Sequence, residues 1–178
     1  MFIGFDYGSA NCAVGVMIDG AVTLLPLSAD SDFMPSTLYA MDRELIAEAV
    51  YQGLPESFKA EYSHLRSSQL MRAKQMRHEL DLLPNEQAVF VGQAAIDAYL
   101  EMPEEGFYVR SPKSFLGANG LRPDQIGLFE DIVTLMMQHV KTLTDKALQQ
   151  KSLPVATHAV IGRPVNFQGI GGEDSNQQ

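Results

Sequence analysis

The sequence predicts an α/β fold built on a mixed sheet, and three observations carry that reading. Apolar runs at 1–5, 12–18 and 21–25 are joined by short turns, as antiparallel neighbours are. Residues 124–149 hold a single apolar stripe at helical spacing. A further apolar run at 156–162 follows Pro154 and reads as a strand. Strands that meander, then helices, then another strand describe a mixed sheet rather than an alternating βα array.

Composition sets the bounds. The chain has 178 residues, enough for one domain with a real core. Hydrophobic residues are 46% and charged residues 20%, as in an ordinary globular protein. The net charge of -9 leaves too little positive charge to neutralise phosphates, so no nucleic acid and no anionic membrane is expected as a partner. The single cysteine, Cys12, excludes an internal disulfide framework and fits a reducing compartment. No basic leader with an apolar core opens the sequence, and no apolar run approaches ~20 residues. The expected location is therefore cytoplasmic.

The elements follow in order. Met1–Phe5 reads as a buried strand. Asp19-Gly20 lies between two apolar runs, the strongest short hairpin signal, because a type I′ turn needs φ > 0 at both central residues. Residues 26–35 have loop composition, and 35–40 can return as a fourth strand. Residues 42–83 are charged and helical, interrupted at Gly53-Leu54-Pro55 and Pro84. Their second half, 58–83, spaces Leu65, Leu70 or Met71, Met76, Leu80 and Leu83 near a helical period. Arg66, Arg72, Lys74 and Arg77 form a basic cluster with no acid between them, either a docking surface for an acidic partner or a solvated helix face. Residues 88–91 make a short strand and 94–101 a helix closed by Pro103. The long helix repeats Ile126, Phe129, Val133, Met136, Val140, Leu143 and Ala147 and would span roughly 39 Å.

Chemistry concentrates after the first strand. Asp6 ends an apolar run, and Tyr7-Gly8-Ser9-Ala10-Asn11 follows before the next one. Small side chains let backbone N–H groups approach anionic oxygens, and successive N–H groups form an anion nest. A carboxylate there can hold a hard cation through its water shell. The same residues also suit an ordinary hairpin. The four histidines show no ligand spacing, and a Ser-His-Asp hydrolase lacks its strand–G-x-S-x-G–helix elbow. His158 reads as a core or sheet-face histidine, and Cys12 as a small core residue.

Four stretches then fall in a familiar order. Ile3 to Cys12 resembles the first phosphate loop of the actin-like ATPase superfamily, and within it the chain looks most like a divergent member of the heat shock protein 70 family. Phe90-Val91-Gly92-Gln93-Ala94-Ala95 is similar to that family's V-G-x-x-A segment. Lys113-Ser114-Phe115-Leu116-Gly117 is similar to its K-R-x-x-G segment. Residues 157–167 are similar to its A-V-I-x-V-P-A-x-F segment. The resemblance implies the first lobe of an actin-like (ribonuclease H-like) ATPase, with a mixed five-stranded sheet, flanking helices and a helical insertion over 42–83. It implies ATP and Mg2+ as cofactors, Asp6 near the magnesium ion, and Gly8, Ser9, Ala10 and Asn11 around the β- and γ-phosphates. Lys113 would reach the γ-phosphate and position the attacking water.

The departures define the alternatives. The family usually has two threonines where this chain has Ser9 and Ala10, so one hydroxyl is lost. Gly169-Ile170-Gly171-Gly172 is not the second phosphate loop, because no strand ending in Asp precedes it. The resemblance therefore makes the chain an N-terminal part of a chaperone ATPase, inactive alone, whose full form would engage client polypeptides and co-chaperones. Saturable micromolar ATP binding by the 178 residues would contradict that expectation. The other readings are a degenerate scaffold acting through protein–protein contacts and a small-molecule kinase of the same superfamily.

Overall fold

The computed structural model describes residues 1–103, 105–115 and 120–162. In chain order the elements are β1 (Phe2–Tyr7), β2 (Asn11–Ile18), β3 (Ala21–Leu24), β4 (Phe33–Pro35), β5 (Thr37–Ala40), α1 (Ile46–Gly53), α2 (Glu56–Leu65) and α3 (Ser67–Glu79). Then follow β6 (Val89–Val91), α4 (Gln93–Glu101), β7 (Phe107–Arg110), α5 (Pro123–Gln150) and β8 (His158–Gly162), with 3₁₀ turns at Arg43–Leu45 and Pro112–Phe115. The fold is α/β with a mixed sheet and helices. It divides into two compact units, one of residues 1–36, 111–121 and 137 onward, the other of 37–110 and 122–136.

The first unit is a five-stranded sheet in the order β3-β2-β1-β8, with β4 also paired to β2. The β1–β2 and β2–β3 pairs are antiparallel and the β1–β8 pair is parallel. Asp19 (φ 49°) and Gly20 (φ 80°) close the β2–β3 hairpin, both in the left-handed region the Asp-Gly dipeptide predicts. Alternation sorts the strands into two faces. Phe5, Tyr7, Cys12, Val14 and Val16 are buried on the inner face. Ile3, Phe5 and Val14 line one cavity together with Met137, Val140 and Thr144 of α5.

The outer face corrects the expectation of a fully buried first strand. Phe2 is 67% exposed, Met17 59%, Val22 72% and Val160 67%. The apolar run at 1–5 is thus half core and half open face. β8 is exposed along its whole length, so His158 is a sheet-face residue stacked on Phe2, with ring centroids 4.6 Å apart.

In the second unit β5 is buried at every residue and lies between β6 and β7, both antiparallel to it. The sequence suggests one strand over 35–40. The structure divides it at Ser36: Phe33–Pro35 belongs to the first sheet, and Thr37–Ala40 centres a second. The helical stretch 58–83 likewise breaks at Arg66 (φ -110°, ψ 25°), which separates α2 from α3. Leu65 and Met71, expected on one apolar stripe, are exposed on either side of that break, and Leu80 and Leu83 are exposed beyond the end of α3 at Glu79. On α5, Met136, Val140 and Ala147 are buried as expected, but Ile126 is exposed. The most buried line of α5 instead takes in Ile132, Leu135 and Leu148 with two polar members, Asp131 and Thr144.

Candidate functional site

The end of β1 sets the geometry of the first unit. Successive residues of a strand point to opposite faces. Tyr7 is therefore buried while Asp6 is exposed on the outer face, where its neighbours across the ladder are Ala13 and Gly162. No partner for the Asp6 carboxylate is found among the described residues. Burial, with the Cys12 thiol adding to it, pushes the Tyr7 phenol far up, so it stays protonated, and its hydroxyl has no hydrogen-bond partner among the described residues.

The connection from β1 to β2 is tight. A Cβ built on Gly8 would stand 2.2 Å from the Asn11 carbonyl oxygen, so only glycine allows this approach. Ser9 and Ala10 are exposed, and their N–H groups make no backbone hydrogen bond among the described residues. Asn11, expected in the loop, opens β2 and faces Pro35. Backbone donors without a partner among the described residues, flanked by small side chains, suit contact with an anion.

Lys113 lies in the 3₁₀ turn Pro112–Phe115, after β7 rather than in an irregular loop. Its Nζ donates to the Tyr7 carbonyl oxygen at 2.5 Å. The ammonium is thereby held at the base of the loop, between Asp6 and Gly8 in the chain. Leu116 and Gly117 of the same segment, and residues 163–167 of the last one, lie outside the described residues. Cys12 registers both charges. Burial pushes its thiol up most, Ser36 lowers it by a hydrogen bond, Asp6 raises it and Lys113 lowers it. The structure thus brings Asp6, Gly8, Ser9, Ala10 and Lys113 to one end of the sheet.

Sequence reasoning missed Ser36. It is 1% exposed, and its hydroxyl donates to the Gly8 carbonyl oxygen at 2.7 Å. Its N–H donates to the Ala10 carbonyl oxygen at 2.9 Å, and its own carbonyl accepts from the Ser111 N–H at 2.9 Å. The only signal was the polar pair Ser36-Thr37 directly after Pro35, between apolar residues.

The basic cluster of the second unit has a different fate. Arg66 is 8% exposed. Its Nε donates to both carboxylate oxygens of Asp131 (3.3 and 3.2 Å), and its Nη2 to Glu130 (2.6 Å) and the Gly127 carbonyl (3.2 Å). Arg77 pairs with Glu48 (2.7 Å) and donates to the Leu83 and Glu86 carbonyls. Arg72 pairs with Glu44 (2.8 Å). Three of the four basic side chains are therefore spent on internal partners, and neither a docking surface nor a purely solvated face describes them.

Among the described residues no group of three or more His, Cys, Asp or Glu side chains could hold a metal ion. A single carboxylate such as Asp6 still suits Mg2+, which keeps several waters and is commonly held by one or two carboxylates plus substrate phosphate. No helix among the described residues is long and apolar enough to cross a membrane. No protein-family model matches the chain.

Proposed function

We propose that this chain is the phosphate-binding lobe of a cytoplasmic ATPase of the actin-like, heat shock protein 70 type. What supports the reading is the set of Ser9 and Ala10 N–H groups, unpaired among the described residues, between an exposed carboxylate and an anchored ammonium. Phosphoryl transfer asks mainly for positioning and charge stabilisation. In the proposed mechanism the loop from Gly8 to Asn11 donates N–H groups to the β- and γ-phosphates. Asp6 orients the water shell of a bound Mg2+, which would supply charge neutralisation on the phosphates. Lys113 keeps one N–H on the Tyr7 carbonyl and turns another toward the γ-phosphate, since an ammonium has three donors. In its full form the protein would pass nucleotide state to client polypeptide and co-chaperones.

Ala10 favours a second reading, a scaffold that keeps the fold without turnover, because no hydroxyl is available there for a phosphate or a metal-bound water.

Phosphorus NMR of magnesium-ATP mixed with the complete protein tests the proposal. The β- and γ-phosphorus resonances should shift on adding protein. Asp6→Asn should remove the dependence of that shift on magnesium, and Lys113→Ala should reduce it at the γ-phosphorus most. Unchanged resonances at millimolar ATP would overturn the nucleotide reading and leave the scaffold.

A further inference from the structure

We infer that Ser36 is a positioning residue for the loop from Gly8 to Asn11, and that it holds this loop and the Lys113 turn in one frame. The inference rests on reading that loop as the phosphate site.

Three hydrogen bonds carry it. The Ser36 hydroxyl donates to the Gly8 carbonyl oxygen (2.7 Å), and the Ser36 N–H donates to the Ala10 carbonyl oxygen (2.9 Å). One residue therefore grips the loop at two places, two residues apart. A trans peptide points its C=O and N–H in opposite directions. Fixing the Gly8 carbonyl toward Ser36 thus turns the N–H of Ser9 away from Ser36. That is the orientation an anion-binding donor needs, and it costs no rearrangement when the anion arrives.

The third bond reaches the lysine. The Ser36 carbonyl accepts from the N–H of Ser111, two residues before Lys113. Lys113 in turn donates to the Tyr7 carbonyl, next to Gly8. The circuit from Ser36 through Ser111 and Lys113 to Tyr7 and Gly8 closes on itself. The lysine and the loop are held by shared partners rather than by separate ones.

Cys12 completes the site and supplies a reporter. Its Sγ lies 3.5 Å from the Ser36 Oγ. Either atom can be the donor of that contact. Cys12 is fully buried and is the one cysteine of the sequence. Its rate of alkylation therefore measures how often this end of the sheet opens, with or without nucleotide.

The experiment compares the parent, Ser36→Ala and Ser36→Thr in the complete protein. Iodoacetamide modification of Cys12 and magnesium-ATP affinity are measured for each. Ser36→Ala should raise the alkylation rate and weaken magnesium-ATP binding, each about tenfold, the equivalent of one buried hydrogen bond. Ser36→Thr, which keeps the hydroxyl, should restore most of both. If alkylation follows this pattern while the parent does not bind magnesium-ATP, the positioning role stands and the nucleotide reading fails. If a folded Ser36→Ala protein alkylates and binds like the parent, the positioning role is wrong. Should Ser36→Ala not fold, the parent decides by proton NMR. A slowly exchanging Ser36 hydroxyl proton supports the clamp, and a fast-exchanging one beside a protected Ser36 amide overturns it.

Discussion

Two regions of this protein offer polar groups in the sequence, and they end in opposite states. The basic cluster from Arg66 to Arg77 carries formal charge, yet Arg66, Arg72 and Arg77 each meet an internal carboxylate. The loop from Gly8 to Asn11 carries no charge at all, yet Ser9 and Ala10 keep their N–H groups unpaired and exposed among the described residues. Charge counted along a chain is therefore a poor guide to charge available for a ligand. Long basic side chains can reach acids far along the sequence, whereas a backbone N–H in a tight connection has few partners within reach.

Substitutions can break or sharpen that contrast, the largest effect first. Arg66→Leu strands the buried Asp131 carboxylate and should cost about 3–5 kcal/mol in urea unfolding. Adding Asp131→Leu should recover most of the loss, because the pair is then replaced rather than broken. A loss under about 1 kcal/mol for the single substitution would mean that Arg66 is solvated after all.

Gly8→Ala comes next. The added Cβ meets the Asn11 carbonyl oxygen at 2.2 Å, and the clash is with backbone. Stability should fall by about 1–3 kcal/mol, a cost typical of overpacking, and the phosphorus shifts of magnesium-ATP should vanish. A variant with parental stability would show that the loop is looser than described.

Arg72→Ala is expected to matter little. Its side chain is half exposed, and exposed pairs contribute about 0.2–1 kcal/mol. Whatever contribution is found should shrink between low and high salt.

The smallest effect is expected from pH. Burial holds the His139 imidazole below its ordinary pKa. Unfolded chains then bind its proton more readily than folded ones, so this contribution is fully present above ~6.5 and is lost as pH falls from there through the folded value. Urea midpoints measured across that window should decline less in His139→Gln than in the parent.

Much of the first unit was legible in the sequence, because its signals are local. Asp19-Gly20 fixes a hairpin through the φ values of two adjacent residues, and the alternation in β2 sorts core from surface within eight residues. Asp6 and Gly8 were singled out by residue type after an apolar run, and Lys113 only through the resemblance to the actin-like family. What escaped depends on distant partners. Arg66 is buried because Asp131, 65 positions later, neutralises it, and no window of sequence contains both. Ser36 ends one sheet and Thr37 begins another, a division decided by β4 pairing with β2 and β5 with β6 and β7. The outer sheet face escaped for a related reason. An apolar run signals burial but not on how many sides, and Phe2 and Phe5 read alike until the sheet is assembled.

The contrast between the two regions comes down to which amides answer an anion. Two-dimensional amide NMR during a titration with magnesium pyrophosphate reads both regions at once. The account predicts saturable shifts at Gly8, Ser9, Ala10 and Asn11 and none along Arg66 to Arg77. Shifts confined to the arginine segment, with the loop amides unmoved, would contradict it.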